Sequence, residues 1–246
     1  MSERWTEERL AVLPVIDGVR QRGVEMTRLE TFCDAAFAFA VTLLVIGDGI
    51  PRSYNELILA LKGVPAFAAS FAAIASFWWS HRTWSRRYGL EDSITTVISL
   101  GMVFIMLVYV YPLKMVFSAF AYWASGGWCP AEFTLADAGE MLGIFVIYGL
   151  GFAAQTGMLA LLHLRVLKAG DALGLNEVER IRTRQGAVQN LVLGATGVLS
   201  ALWAVTMPPA VSMFAGFCYM TLPLTMPWVS IRFGKLVDKA ERTGTN

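Results

Sequence analysis

The chain of 246 residues is 56% hydrophobic and only 16% charged, with a mean hydropathy of +0.54, whereas an ordinary soluble domain is about 45–50% apolar and about 25% charged. Most Lys and Arg residues lie in short clusters between long uncharged runs, and the formal net charge of +1 gives no indication of nucleic-acid binding. Because a spanning helix needs about 20 apolar residues, this length accommodates about five to seven spans and excludes a soluble catalytic domain.

The N-terminal segment, residues 1–27, is charged and polar, so we do not expect it to be a cleavable signal peptide. Apolar residues such as Trp5, Leu10, Ile16 and Val19 are interspersed among its charges. Two interpretations fit this pattern: an amphipathic helix lying at the membrane surface, or a partly ordered tail.

Six apolar runs follow, and they predict an all-α polytopic membrane protein. Breaker clusters at Gly47-Asp48-Gly49-Ile50-Pro51 and Pro208-Pro209 separate the first pair and the last pair. Asn176 and Glu179 have the spacing of a capping box, so the fifth helix is predicted to begin there and to enter the membrane at about Gln185. The predicted spans cover about 32–47, 57–80, 94–123, 139–164, 188–206 and 210–231, within a membrane domain at 28–234 that precedes a tail at 235–246.

The distribution of positive charge predicts the orientation of the spans. The residues before the first predicted span, the second and fourth loops and the residues after the last predicted span hold 17 of the 20 Lys and Arg residues. The positive-inside rule therefore places both termini in the cytoplasm, which requires an even number of spans. The predicted location is the inner membrane of the cell.

The first span is unusually short and has charges at its start, Arg28 and Asp34. Its uncharged core, Ala35 to Gly47, is about 20 Å long as a helix, less than the roughly 30 Å of bilayer hydrocarbon. Such a helix is expected inside a bundle rather than against lipid, where it either lines a conduction path or serves as a buried structural helix. At 100° per residue, one face of it carries Ala35, Phe39, Thr42, Leu43 and Ile46.

The start of this helix resembles a known family. Arg28-x-x-x-Phe32-Cys33-Asp34, followed by Ala35-Ala36-Phe37-Ala38 and Val41-Thr42-Leu43-Leu44-Val45, is similar to the first helix of the transmembrane protein 175 family. These are the endosomal and lysosomal potassium channels and their prokaryotic homologues, with the signature Arg-x-x-x-Phe-Ser-Asp. Trp78-Trp79-Ser80-His81 resembles the Trp and His that end the second helix of the family. Cys33 departs from the signature, because it replaces the Ser with a weaker hydrogen-bond donor.

The resemblance implies a single-repeat, six-helix channel subunit that assembles as a homotetramer. The first helices would line a central pore through which potassium and other monovalent cations flow passively. Phe39 would lie at the narrowest position and Thr42 would form a ring of hydroxyls, with Ala35, Leu43 and Ile46 completing the lining. A structural network at the cytoplasmic end would comprise Arg28, Phe32, Cys33, Asp34, Trp78 and His81. Because smaller aliphatic residues are common in the family at the position of Phe39, its ring would either tighten the gate or close the pore.

Other functions find less support in the sequence. Its two histidines, His81 and His163, have no carboxylate cluster at metal-ligand spacing, and no nucleophile and base motif is present. The sequence therefore predicts neither an enzyme nor a cofactor. The predicted partners of the protein are cations, the lipid bilayer and further copies of the same chain. Two alternatives stay open: a small-solute transporter or permease, suggested by Gln155 and the prolines of the last span, and a non-conducting membrane scaffold, suggested by Phe39.

Overall fold

The computed structural model describes residues 5–46, 50–131 and 138–244. This part of the chain is almost entirely helical, so the prediction of an all-α protein is confirmed. Residues 47–49 of the predicted breaker cluster lie outside the described residues. The helices are α1 (Glu7–Ala11), α2 (Arg28–Ile46), α3 (Tyr54–Lys62), α4 (Val64–Tyr88), α5 (Ser93–Ala124), α6 (Ala138–Lys168), α7 (Glu177–Thr206), α8 (Pro209–Ser212) and α9 (Leu222–Gly244), with a 3₁₀ segment, Met213–Thr221, before α9.

Four stretches of the described chain are long and apolar enough to cross a membrane. They are α5, α6, α7 and the stretch Phe214–Thr243, and the bent pair of α3 and α4 makes a fifth when it is counted as one span. The helix α2 is not among them; Arg28, Glu30 and Asp34 occupy its first two turns. The fold is that of a polytopic membrane protein, and the count of six spans stays a prediction.

Two of the predicted spans differ in form from their helices. The second, predicted as one run, is two helices that meet at 46°, because Gly63 ends α3 and Pro65, which has no N–H to donate, opens α4. In the last span, the irregular part is the 3₁₀ segment Met213–Thr221, which precedes Pro223 and Pro227. The runs 94–123 and 139–164 coincide with α5 and α6 to within a few residues.

The N-terminal segment is neither an amphipathic surface helix nor a loose tail. It contains the five-residue α1 and a β-hairpin of two short antiparallel strands, β1 (Val15–Ile16) and β2 (Val19–Arg20). Between the strands, Asp17 and Gly18 take positive φ values of 53° and 74°, as Asp-Gly does in the tight turns that match strand twist. The Asp-Gly pair between β-branched residues was the sequence signal for this hairpin.

A buried ion pair attaches the hairpin to the helices. The guanidinium of Arg22 donates to both carboxylate oxygens of Glu179, at 3.0 and 2.9 Å, and to the carbonyl of Leu173 at 2.9 Å. Glu179 belongs to the capping box at the start of α7, and the structure confirms that box. The backbone N–H groups of Arg22 and the next residue also donate to the carbonyls of Arg87 and Arg86, at 3.2 and 3.0 Å. The hairpin therefore joins the end of α4 to the start of α7.

The helices α6 and α7 approach each other closely through glycines. A Cβ placed on Gly149 would lie 2.5 Å from the carbonyl oxygen of Gly197, and a Cβ on Gly197 would lie 2.5 Å from the carbonyl oxygen of Gly149. Small residues at such a contact let two helix backbones meet, which is the main packing device available inside a membrane. The other helices then arrange around this pair, with α5 against α6 and α2 against both α4 and α5.

Candidate functional site

The helix α2 has one face packed against the rest of the chain and one face outside the helical bundle. Its inner side chains, Cys33, Phe37, Ala40 and Leu44, are buried against the neighbouring helices. The opposite face is exposed over its whole length, although it is mainly apolar. Its members are Phe32, Ala35, Ala38, Phe39, Thr42 and Val45. An apolar face of this kind needs a cover, either lipid or another copy of the chain.

Most of the predicted lining residues share the exposed face. Phe39 is 55% exposed, and Ala35 and Thr42 are exposed beside it, while Leu43 is half-buried at the edge of the face. Ile46 ends α2, and its side chain lies outside the described residues. The hydroxyl of Thr42 donates to the carbonyl of Phe39 at 2.7 Å, so its oxygen lone pairs remain free to accept a hydrogen bond or contact a cation.

Part of the predicted network is brought together where α2 meets α4. The indole Nε1–H of Trp78 donates to Oδ1 of Asp34 at 2.7 Å, and both side chains are half-buried. The guanidinium of Arg82 lies 5.6 Å from the ring of Trp78 and 5.5 Å from that of Trp79, at cation–π distance. Cys33 is fully buried one residue before Asp34, as a free thiol. Asp34 and Trp78 thus connect α2 to α4 through a hydrogen bond that a charge strengthens.

The remaining residues of the predicted network, Arg28, Phe32 and His81, do not take part in the contact between Asp34 and Trp78. His81 is buried, but its Nε2 contacts Oγ of Ser99 on α5 at 3.2 Å rather than Asp34. Arg28 and Phe32 are exposed on α2, and no described residue of the protomer forms an ion pair with Arg28. The ion pair at the start of α2 involves Glu30 instead, which is 2% exposed and lies 3.5 Å from Nε of Arg86.

A second polar contact lies in the turn between α4 and α5. Asp92 caps α5 by accepting from the backbone N–H of Thr95 at 2.7 Å, and it also accepts from Arg165 at the end of α6. Burial raises the pKa of the Asp92 carboxyl, but the hydrogen bonds from Thr95 and Arg165 outweigh burial and leave the pKa below its ordinary value. The carboxylate therefore stays ionised and holds the start of α5 against the end of α6. Sequence reasoning missed this pair and the Glu30 pair, because neither has a short-range signature.

The contact between Trp78 and Asp34 gives a matched prediction. We expect Trp78→Phe to lower the free energy of unfolding by about 1–2 kcal/mol, because it removes a donor to a carboxylate. Trp79→Phe is the control: both rings stack on Arg82, but the Trp79 side chain is largely exposed, so we expect a change within about 0.5 kcal/mol. Denaturant unfolding of the detergent-solubilised protein measures both, and equal losses in the two variants would contradict the role of the hydrogen bond.

Comparison with known proteins identifies the family. The model of the endosomal/lysosomal potassium channel TMEM175 family matches residues 28–112, which include α2 and the contact between Asp34 and Trp78. A relative from Marivirga tractuosa, named "Potassium channel", is 32% identical over 229 residues, which are 90% of this chain and 91% of the relative. The chain is a member of the TMEM175 family.

The likeness to the family extends through the second half of the chain. The crystal structure of a variant of the potassium channel MtTMEM175, bound to a nanobody fusion protein, matches with a TM-score of 0.77 and 28% sequence identity. The match covers 92% of this chain and 100% of that one. The resemblance inferred from the first-helix motif is therefore confirmed, and the similarity to MtTMEM175 extends over the helices well beyond that motif.

Proposed function

We propose that this chain is one subunit of a potassium-permeable cation channel, in which ions flow passively through a central pore lined by α2. The observation that carries the proposal is the exposed face of α2, which presents Phe39 and Thr42 outward while the rest of the helix is packed against its own protomer. The relative from Marivirga tractuosa and MtTMEM175 are both potassium channels by name. Membership of their family makes conduction the expected use of such a face.

The same face supports a homotetramer with α2 innermost. Charges at Arg28, Glu30 and Asp34 make α2 unfavourable against lipid, whereas copies related by a rotation axis would cover its outer face with an equivalent one. Four copies are proposed, as the family resemblance implies. A stable monomer in mild detergent, or α2 at the lipid-facing perimeter of the assembly, would contradict this arrangement.

The gate is proposed at Phe39. Four phenyl rings around the axis would exclude water by apolar crowding, and ion flow would then be limited by dewetting of the constriction. Thr42 lies one turn further along the same face, and its hydroxyl oxygen would contact the ion. Ala35, Leu43 and Ile46 would continue the lining on either side.

Potassium flux into proteoliposomes tests the gate. We expect Phe39→Ala to raise the flux severalfold, because the smaller side chain lowers the dewetting barrier, and Thr42→Val to change the preference for potassium over sodium more than the rate. Phe104→Ala is the matched control: Phe104 is an exposed Phe on α5 rather than on α2, and the flux of this variant should equal that of the wild type. Background flux in all four proteins would favour the non-conducting scaffold.

A second candidate function is small-solute transport, which one observation favours. Gln155 is fully buried in the middle of α6, and neither of its amide atoms has a hydrogen-bond partner among the described residues. Buried polar groups are nearly always satisfied, so this amide is a candidate contact for a solute. Background potassium flux in the wild type and in Phe39→Ala, together with thermal stabilisation by a small polar solute that Gln155→Leu abolishes, would favour the transporter.

The orientation is proposed from the charges at one end of the bundle. Arg22, Arg87 and Glu179 link the hairpin, α4 and α7 there. Arg86 and Arg165 lie at the same end, in the last helical turns of α4 and α6. By the positive-inside rule, this end of the bundle would face the cytoplasm. The channel would lie in the inner membrane of the cell. Residues 28–234 would form the channel domain, with both termini on the cytoplasmic side.

A further inference from the structure

A polar cavity lies beside the hairpin, apart from the proposed pore face. It has a volume of about 230 Å³, and its walls come from the turn of the hairpin, the end of α4 and the first half of α7. One ordered water needs only about 15 Å³, so the cavity has room for a group of several heavy atoms. Its lining consists of Asp17, Arg87, Arg182, Gln185, Gly186 and Gln189.

The cavity offers donors to an anion. Arg182, Gln185 and Gln189 share one face of α7, at spacings of three and four residues. The Nε–H of Arg182 is buried and meets no acceptor in the described part of the chain, and the guanidinium otherwise donates only to Oε1 of Gln185, at 3.3 Å. Arg87 approaches from α4. Two guanidinium groups, one of them with an unmet buried donor, suit a phosphate group, whose oxygens match the arginine fork.

The depth of the cavity favours a lipid headgroup over a free ion. Arg184 is the last charged residue of α7, and the helix is uncharged from Gln185 to Thr206. The rise from Arg182 to Gln189 is about 10 Å. With α7 entering the membrane at about Gln185, as its charges predict, the cavity would reach from the headgroup layer, about 5–7 Å deep, towards the edge of the hydrocarbon. A free phosphate would use only the water-facing arginines, whereas a phospholipid would also place its glycerol esters beside the two glutamines.

We propose that this cavity binds the phosphate headgroup of an anionic phospholipid, with Arg182 and Arg87 on the phosphate and Gln185 and Gln189 on the glycerol region. The assignment does not depend on whether the pore conducts. The lipid would bind at the junction between the hairpin, α4 and α7.

Asp17 should weaken the binding of the anionic headgroup. Its carboxylate forms a salt bridge with Arg87 at 3.1 Å, and its side chain is 69% exposed, so a bound phosphate would have to share or displace that contact. Asp17→Asn removes the repulsion, and Asn tolerates the φ of +53° that the turn requires. This variant should therefore bind the lipid more tightly than the wild type does.

Calorimetric titration of the full-length protein in neutral detergent tests the site, with dioctanoyl phosphatidylglycerol, dioctanoyl phosphatidylcholine and inorganic phosphate as separate probes. We expect phosphatidylglycerol to bind and Arg182→Gln to weaken it by about tenfold, the effect of losing one hydrogen bond to a charged group. Arg87→Gln should act in the same direction and Asp17→Asn in the opposite one. Arg184→Gln is the matched control, because Arg184 is exposed on the same helix and does not line the cavity.

Equal affinity of Arg182→Gln and Arg184→Gln for phosphatidylglycerol would overturn the site, as would absence of binding to the wild type. Binding of inorganic phosphate as tight as that of phosphatidylglycerol would overturn the lipid assignment. Phosphatidylcholine should bind more weakly than phosphatidylglycerol, and equal binding of the two would also count against it. Gel-filtration profiles that match the wild type establish that each variant is folded. If Arg182→Gln does not fold, the comparison of Arg87→Gln with Arg184→Gln decides the test.

Discussion

Glu179→Ala is expected to lower the free energy of unfolding by about 3–5 kcal/mol, the typical cost of breaking a buried ion pair from one side. The Glu179 carboxylate accepts from four donors: two on the guanidinium of Arg22, the backbone N–H of Arg20 and the backbone N–H of Asn176. The side chains of Arg22 and Glu179 are both 0% exposed. Alanine would leave the Arg22 charge buried without its partner, and it would open the capping box of α7 as well.

Two further variants separate the contributions at this site. Glu179→Gln keeps a side chain that can complete the capping box, but it removes the charge that balances Arg22, so we expect most of the loss to remain. Glu177→Ala is the control, since Glu177 is exposed in the first turn of the same helix and should change stability by no more than about 0.5 kcal/mol. Denaturant unfolding followed by tryptophan fluorescence measures all three. Similar values for Glu179→Ala and Glu177→Ala would mean that the ion pair does not hold the hairpin in place.

Gly149→Ala is expected to destabilise the protein by about 3 kcal/mol, the upper end of the range for overpacking. The added methyl would lie 2.5 Å from the carbonyl oxygen of Gly197, and a backbone atom cannot move aside as a side chain can. The two helices would have to separate along their contact. This loss runs against the usual sign, because Gly→Ala within a helix ordinarily stabilises by about 0.5–1 kcal/mol.

Gly157→Ala, in the same helix, is expected to change the stability in the opposite direction. A Cβ at Gly157 would meet nothing within 4 Å, so this variant should gain the ordinary helix stabilisation. The thermal midpoint of the detergent-solubilised protein should fall for Gly149→Ala and rise for Gly157→Ala. Shifts of the same sign and size would show that the close approach of α6 and α7 does not limit stability.

Features with a short sequence span could be predicted here. The apolar runs anticipated α5 and α6, and the spacing of Asn176 and Glu179 anticipated the capping box of α7. The motif from Arg28 to Asp34 indicated the TMEM175 family, which the comparisons confirm. Each of these signals lies within one helix or one cap, where neighbouring residues act on each other directly.

Features that combine distant segments could not be predicted in this way. The hairpin has an Asp-Gly turn signal, but its position depends on Arg22 meeting Glu179, 157 residues later. The bend between α3 and α4 follows from Gly63 and Pro65 within a run whose hydropathy is continuous. In the candidate site, the resemblance predicted Asp34 and Trp78 together, whereas Ser99 as the partner of His81 and Arg86 as the partner of Glu30 were not anticipated.

Hydropathy and a local motif are sufficient to identify an all-α membrane protein of the TMEM175 family with a short, charged first helix, because both depend on consecutive residues. The packing of the helices determines three further features: which face of α2 is left uncovered, which charges are buried together and where the polar cavity beside Arg182 opens. Those outcomes depend on contacts between helices that are far apart in the chain. Whether a side chain such as Phe39 is covered by the other helices of the chain or presented outward is therefore a property of the packed bundle.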